Sequence, residues 1–267
     1  EKTNKSNLLS ISTTSLKEQL LNQAFTSHSK GKISEAEKFY EQCIKQGFSD
    51  ARLFSNYGVL LKGIGKLEKA ESYVRKAIRI KPNFADAYSN LGNILIDSDK
   101  LEEAEFSLRK AIQLKPDFAD AYSNLGLILI NLGNLKEAEL LLRKAIQLQP
   151  NLAMSHANLG SILIDLDNLK EAELSTRKAI QLQPNLGVAH VNLGSILINL
   201  GNFKEAALSQ RKAIEIQPSL AEAHSNLGNT LRELGQLKEA ELSIRKAIAL
   251  KPNLAEAHYN LGNILRD

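Results

Sequence analysis

Seven asparagines recur at a fixed interval of 34 residues: Asn56, Asn90, Asn124, Asn158, Asn192, Asn226 and Asn260. A carboxamide carries two N–H donors and a carbonyl acceptor. A row of them can therefore pair with the C=O and N–H groups of an extended polypeptide, whatever its side chains. Asparagine is a mediocre helix former, so helix propensity does not select it seven times. Hydrogen bonds between adjacent helices are the plainer use of the same row.

Four of the five histidines keep the same interval, His156, His190, His224 and His258. A histidine series suggests metal ligation. Successive members sit one repeat apart, however, and a helix is about 10 Å wide. One metal ion with bonds of about 2 Å cannot bridge them, so packing is the expected role and no metal is expected. Arg-Lys pairs recur as Arg75-Lys76, Arg109-Lys110, Arg143-Lys144, Arg177-Lys178, Arg211-Lys212 and Arg245-Lys246. A basic ladder suggests nucleic acid. Glu71, Glu105, Glu139, Glu173 and Glu241 stand four residues upstream, the spacing of ordinary helix-surface ion pairs, and no aromatics interleave. No nucleic-acid partner is expected. No phosphate loop, nucleophile elbow, HExxH or Cys/His cluster is present, so neither catalytic residues nor a cofactor are expected. The start of a glycine-rich loop at Gly63 and Gly65 fails at Glu68. The sequon Asn4-Lys5-Ser6 is at chance level.

The elements that position these residues follow from the same period. All six prolines, Pro82 to Pro252, and the glycines Gly58, Gly92, Gly126, Gly160, Gly194, Gly228 and Gly262 recur every 34 residues. Residues 85–118 and 119–152 agree at 23 of 34 positions, which chance does not produce. With each unit numbered from 1, units run over 51–84, 85–118, 119–152, 153–186, 187–220 and 221–254. A degenerate unit covers 17–50 and a partial one 255–267. Asparagine holds position 6, glycine position 8 and proline position 32. Each unit reads as two helices. Apolar and small residues such as Ala87, Tyr88, Leu91 and Leu95 keep helical spacing. So do Leu101, Ala104, Leu108 and Ala111 in the second half. Between them position 15 is Gly31, Gly65, Gly133, Gly201 and Gly235, as a left-handed helix stop requires, replaced by Asp99 and Asp167. Proline then ends the second helix. Small residues at positions 8, 20 and 27 let helix axes approach closely. Cys43, at position 27, reads as a small buried hydrophobe.

The pattern resembles the tetratricopeptide repeat, a 34-residue helix–turn–helix. In residues 119–152 the likeness rests on Tyr122, Leu125, Gly126, Leu129, Ala138, Ala145 and Pro150, and it extends over residues 17–267. It implies an all-α solenoid, a right-handed superhelix of stacked hairpins. The first helix of each unit (helix A) would line the concave face and the second (helix B) the convex. The asparagine row is similar to the ladder in the repeat superhelix of O-linked N-acetylglucosamine transferases, where that family holds the backbone of protein substrates. Family members that clamp chaperone C-termini want lysine at position 5; here Ser, Ala, Val or Tyr stands there, so that clamp is not expected.

On helix A, positions 2, 5, 6, 9, 12 and 13 form the arc assigned to the groove. Position 12 gives an apolar stripe that includes Ile130 and Ile164; it lies near the margin of the arc, where packing on the next repeat is the plainer use. Position 13 is acidic or amide and includes Asp97 and Asp165. A protein or peptide segment with basic and aliphatic residues would complement this groove.

Composition sets the outer bounds. The chain has 267 residues, a net charge of +4, 43% hydrophobic residues and a single cysteine. An intrachain disulfide is therefore excluded, and no apolar run reaches the ~18–20 residues of a membrane span. A cytoplasmic location and no membrane partner are expected. Residues 1–16, rich in Ser, Thr, Asn and Lys, read as a flexible segment. The chain starts without Met and ends inside a helix A, leaving Leu261, Ile264 and Leu265 without a covering helix B. Two further readings follow. The array is a substrate-recruiting arm of a larger glycosyl- or sulfotransferase, or it self-assembles as a homo-oligomer through that end.

Overall fold

The computed structural model describes the backbone of residues 2–266 and the side chains of residues 16–266. The expected flexible segment, 1–16, falls almost wholly on side chains outside that description. Its backbone from Lys2 onward is helical, as the start of the first helix. Among the described residues the chain is helices and tight turns, without strands.

The chain divides into two compact units, Glu1–Ile128 and Leu129–Asp267. The first contains α1 (Lys2–Ser29), α2 (Ile33–Lys45), α3 (Ala51–Gly63), α4 (Leu67–Ile80), α5 (Ala85–Asp97), α6 (Leu101–Leu114) and most of α7 (Ala119–Asn131). The second contains α8 (Leu135–Leu148), α9 (Ala153–Asp165), α10 (Leu169–Leu182) and α11 (Gly187–Asn199). It continues through α12 (Phe203–Ile216), α13 (Ala221–Glu233), α14 (Leu237–Leu250) and α15 (Ala255–Arg266). From α3 onward every odd-numbered helix starts at position 1 of its repeat, and every even-numbered helix ends two residues before the proline or its equivalent.

The turn inside each hairpin is set by backbone conformation. Gly65 has φ +75°. Its N–H bonds to the Lys62 carbonyl, and the Lys66 N–H to that of Leu61, both at 2.9 Å. This double closure satisfies carbonyls that the helix end would otherwise orphan. Asp99 and Asp167 take the same turn at φ +57°, with the same bonds to Ile96 and Leu95 and to Ile164 and Leu163. In the degenerate first repeat, Phe48 replaces proline. There Gly47, at φ +74°, ends α2 instead, a substitute that the proline interval does not reveal.

Close approach between paired helices depends on position 8. A Cβ on Gly92 would lie 2.6 Å from Leu108, and one on Gly228 would lie 2.5 Å from Ile244 and 3.0 Å from the Ala240 carbonyl. Position 20, Ala36 through Ala240, is fully buried, and so is position 27. Cys43 is buried there as a free thiol, and burial pushes its pKa up. At position 24 the core varies: Val74, Leu108, Leu142 and Ile244 are apolar, but Thr176 and Gln210 are polar and fully buried.

The end of the array differs from expectation at one residue. Ile264 is buried in the cluster around Ile244 and Ala247, and Leu261 packs against its edge. The helical turn carries Ile264 onto α14 rather than outward. Leu265 remains exposed.

Candidate functional site

Position 6 lies in the second turn of each helix A, beside the preceding helix A. In the first unit, Asn90 Nδ2 donates to Ser55 Oγ at 3.0 Å, and Asn124 Nδ2 donates to Asn93 Oδ1 at 2.6 Å. In the second, Asn192 Nδ2 donates to the Ala157 carbonyl at 3.1 Å, and Asn226 Nδ2 to Ser195 Oγ at 3.0 Å. Asn260 Nδ2 donates to Ser225 Oγ at 3.4 Å. The acceptors are therefore positions 5 and 9 of the preceding repeat. Sequence reading treated those positions only as groove lining. Their small polar residues are the signal that finds the bonds, once the repeats are placed in register. Asn56 follows Leu21 and Phe25 at those positions, which have no side-chain acceptor.

The arrangement ties neighbouring repeats and leaves chemistry over. A carboxamide has two N–H groups, so each bonded asparagine keeps one N–H and its Oδ1. Asn56, Asn90, Asn124, Asn192 and Asn226 are half-buried, whereas Asn158 and Asn260 are buried. Asn158 Nδ2 has no hydrogen-bond partner. An unmade bond from a buried amide costs about 1–3 kcal/mol.

The other expected groove residues are on the same helix face. Ile130 and Ile164 are half-buried; Asp97 and Asp165 are exposed. Asp97 is ion-paired with Lys62 at 2.7 Å. At position 2, Glu222 pairs with Lys251 at 2.9 Å, and that hydrogen bond lowers its pKa. Part of the acidic character is thus already neutralised, by the preceding repeat at Asp97 and within the same repeat at Glu222.

The histidine series has a structural partner. Nε2 of His156, His190, His224 and His258 lies 3.1, 2.9, 3.1 and 2.8 Å from the carbonyl of Pro150, Pro184, Pro218 and Pro252 respectively. A carbonyl only accepts, so Nε2 carries the proton and closes each helix B-to-A turn. Among the described residues no group of three His, Cys, Asp or Glu is placed to hold a metal ion.

Three arginines of the row are each paired twice. Arg75 meets Glu71 in its own helix and Glu103 in the next helix B at 2.7 Å. Arg143 meets Glu139 and Glu171, and Arg177 meets Glu173 and Glu205, each inter-repeat bond at 2.6 Å. Sequence reading found the glutamate four residues upstream and missed the one at position 19 of the next repeat. No helix among the described residues is long and apolar enough to cross a membrane.

Sequence models described as tetratricopeptide repeat match residues 20–46, 51–84, 73–106, 119–152 and 155–186. A model described as TPR repeat matches 92–133, 194–235 and 228–266. No curated protein sequence matches the chain. Among solved structures, a chain of the APC/C hetero-tetramer Cut9–Hcn1 is 17% identical, with a TM-score of 0.82 over 91% of this chain and 48% of that one. This chain thus spans about half of that relative's length. YrrB, described as a TPR protein with an unusual peptide-binding site, is 28% identical, with a TM-score of 0.54 over 70% of this chain and 96% of YrrB. PilF of Pseudomonas aeruginosa is 20% identical, with a TM-score of 0.70 over 80% and 97%. At 17% and 20% identity the likeness shows the fold alone.

Proposed function

The chain belongs to the tetratricopeptide repeat family, and on that premise we propose that it is a non-catalytic scaffold. It holds an extended segment of a partner protein along the helix A face. The observation that carries this reading is the asparagine row. In the half-buried Asn90, Asn124, Asn192 and Asn226, one N–H and the carbonyl oxygen remain after the inter-repeat bond. Those two groups match the two backbone groups of a polypeptide, so the row reads the main chain, and neighbouring side chains add preference. Ile130 and Ile164 favour aliphatic side chains. Asp165, exposed on the same arc, favours basic ones. YrrB, 28% identical, is described as having a peptide-binding site, which supports the reading.

The probe is a peptide of alternating lysine and valine, since β-branched residues favour the extended state. Its affinity is compared with that of an analogue N-methylated at alternate peptide bonds. Recognition through the main chain predicts a loss of about tenfold or more, at least 1.4 kcal/mol. Equal affinities would refute main-chain recognition.

A further inference from the structure

Four large leucines stand in solvent at one repeat position of the second unit. Leu140, Leu174, Leu208 and Leu242, at position 22 of α8, α10, α12 and α14, are 68–72% exposed. Nothing in the hairpin packing uses them. Buried positions 20, 24 and 27 lie on the other side of the same helices. Each leucine has a lysine four residues before it and four after, the spacing that stacks side chains on one helix face. The pairs are Lys136 and Lys144, Lys170 and Lys178, Lys204 and Lys212, and Lys238 and Lys246. The outer face therefore carries a row of leucines between two rows of lysines.

Charge on this face is not cancelled within the unit. The neighbouring arginines and glutamates satisfy one another. Lys144 and Lys178 bond only to neutral Gln147 and Gln181, and Lys212 pairs with Glu215. Lys136, Lys170, Lys204, Lys238 and Lys246 have no acidic partner among the described residues. Between successive leucines the surface is indented. A cleft of about 490 Å³ between α8 and α10 includes Ile146, Leu159 and Leu174. Its counterpart between α10 and α12, about 470 Å³, includes Ile180, Leu193 and Leu208. The first unit keeps one exposed apolar residue at position 22, Phe106, beside a cleft of about 500 Å³, but position 18 there is Glu68 and Glu102 instead of lysine.

We propose that this face docks an acidic amphipathic helix of a partner protein, whose apolar side chains enter the clefts while its acidic flanks meet the lysine rows. A second copy of this chain is disfavoured because lysine rows would face lysine rows. A lipid surface is disfavoured because it would leave the clefts unfilled.

The test uses the full chain and a fluorescent helical peptide of about 25 residues, with leucine at every seventh position and glutamate on both sides of each leucine. Anisotropy should show saturable binding that weakens with salt. Leu174→Asn with Leu208→Asn, or Lys170→Glu with Lys204→Glu, should each weaken it about tenfold or more, at unchanged helicity. An excess of the lysine–valine peptide should not displace the helical peptide, which separates this face from the helix A groove. Absent binding, or binding indifferent to the leucine substitutions, would overturn the proposal. So would leucine-dependent sedimentation with phosphatidylserine vesicles without peptide binding, or a leucine-dependent dimer.

Discussion

Asn226 of α13 donates its side-chain N–H to the hydroxyl of Ser195 on α11, 3.0 Å away. One bond thus joins two repeats through residues 31 apart. It gives the asparagine row a structural duty, and that bond uses only one of the carboxamide's two N–H groups.

Gly228→Val should destabilise the array. A Cβ there already meets Ile244 at 2.5 Å and the Ala240 carbonyl at 3.0 Å, and the carbonyl cannot swing aside. Overpacking of this kind costs about 1–3 kcal/mol. The urea midpoint should fall accordingly, and the same change at Gly262, where nothing lies within 4 Å, should cost less.

Thr176→Val should stabilise. The Thr176 hydroxyl is fully buried without a partner, and Val74 fills the same repeat position elsewhere. Removing an unmade buried hydrogen bond at constant shape should gain about 1 kcal/mol, seen as a higher urea midpoint. A lower midpoint would mean that the hydroxyl is satisfied in solution.

His190→Ala should remove the Nε2–H bond to the Pro184 carbonyl and cost about 1 kcal/mol. His190→Tyr should cost less, because Tyr88 and Tyr122 hold that position in other repeats. Added zinc should leave the melting temperature unchanged, as packing histidines predict and metal ligands would not.

Stability should decline on the acid side. Arg52, hydrogen-bonded to Asp50, holds that carboxyl below its usual range. Arg143 does the same for Glu171, and Lys251 for Glu222. Folded values below unfolded ones mean that the stabilisation is complete above the ordinary carboxylate range, about pH 3.9–4.3. It is lost as pH falls through the folded values. Urea midpoints measured from pH 7 down to pH 3 should stay level and then drop. Asp50→Asn should remove part of that drop.

The local structure was legible in the sequence because it depends on local chemistry. Gly65 and Pro82 mark where helices stop, and a 34-residue interval fixes helix boundaries almost to the residue. Asp99 and Asp167 were recognised as occupants of a turn that favours glycine, and they adopt it. Relations between repeats were less legible. That Glu171 belongs to Arg143 as well as to its own helix, or that Asn192 finds the Ala157 carbonyl, depends on how far one hairpin is rotated on the next. Periodicity is silent about that rotation. The leucines at position 22 were not singled out, although counting 100° per residue from Ala172 and Thr176 places Leu174 on the outside.

The most direct test of the central claim is a titration of the lysine–valine peptide against Asn158→Ala/Asn192→Ala/Asn226→Ala protein, with melting followed in parallel. The account predicts some loss of stability, since Asn192 and Asn226 tie repeats together. At a temperature where both proteins are folded, it also predicts an affinity loss of about tenfold or more. Unchanged affinity in the folded variant would contradict it, and the asparagine row would then be a device for joining repeats alone.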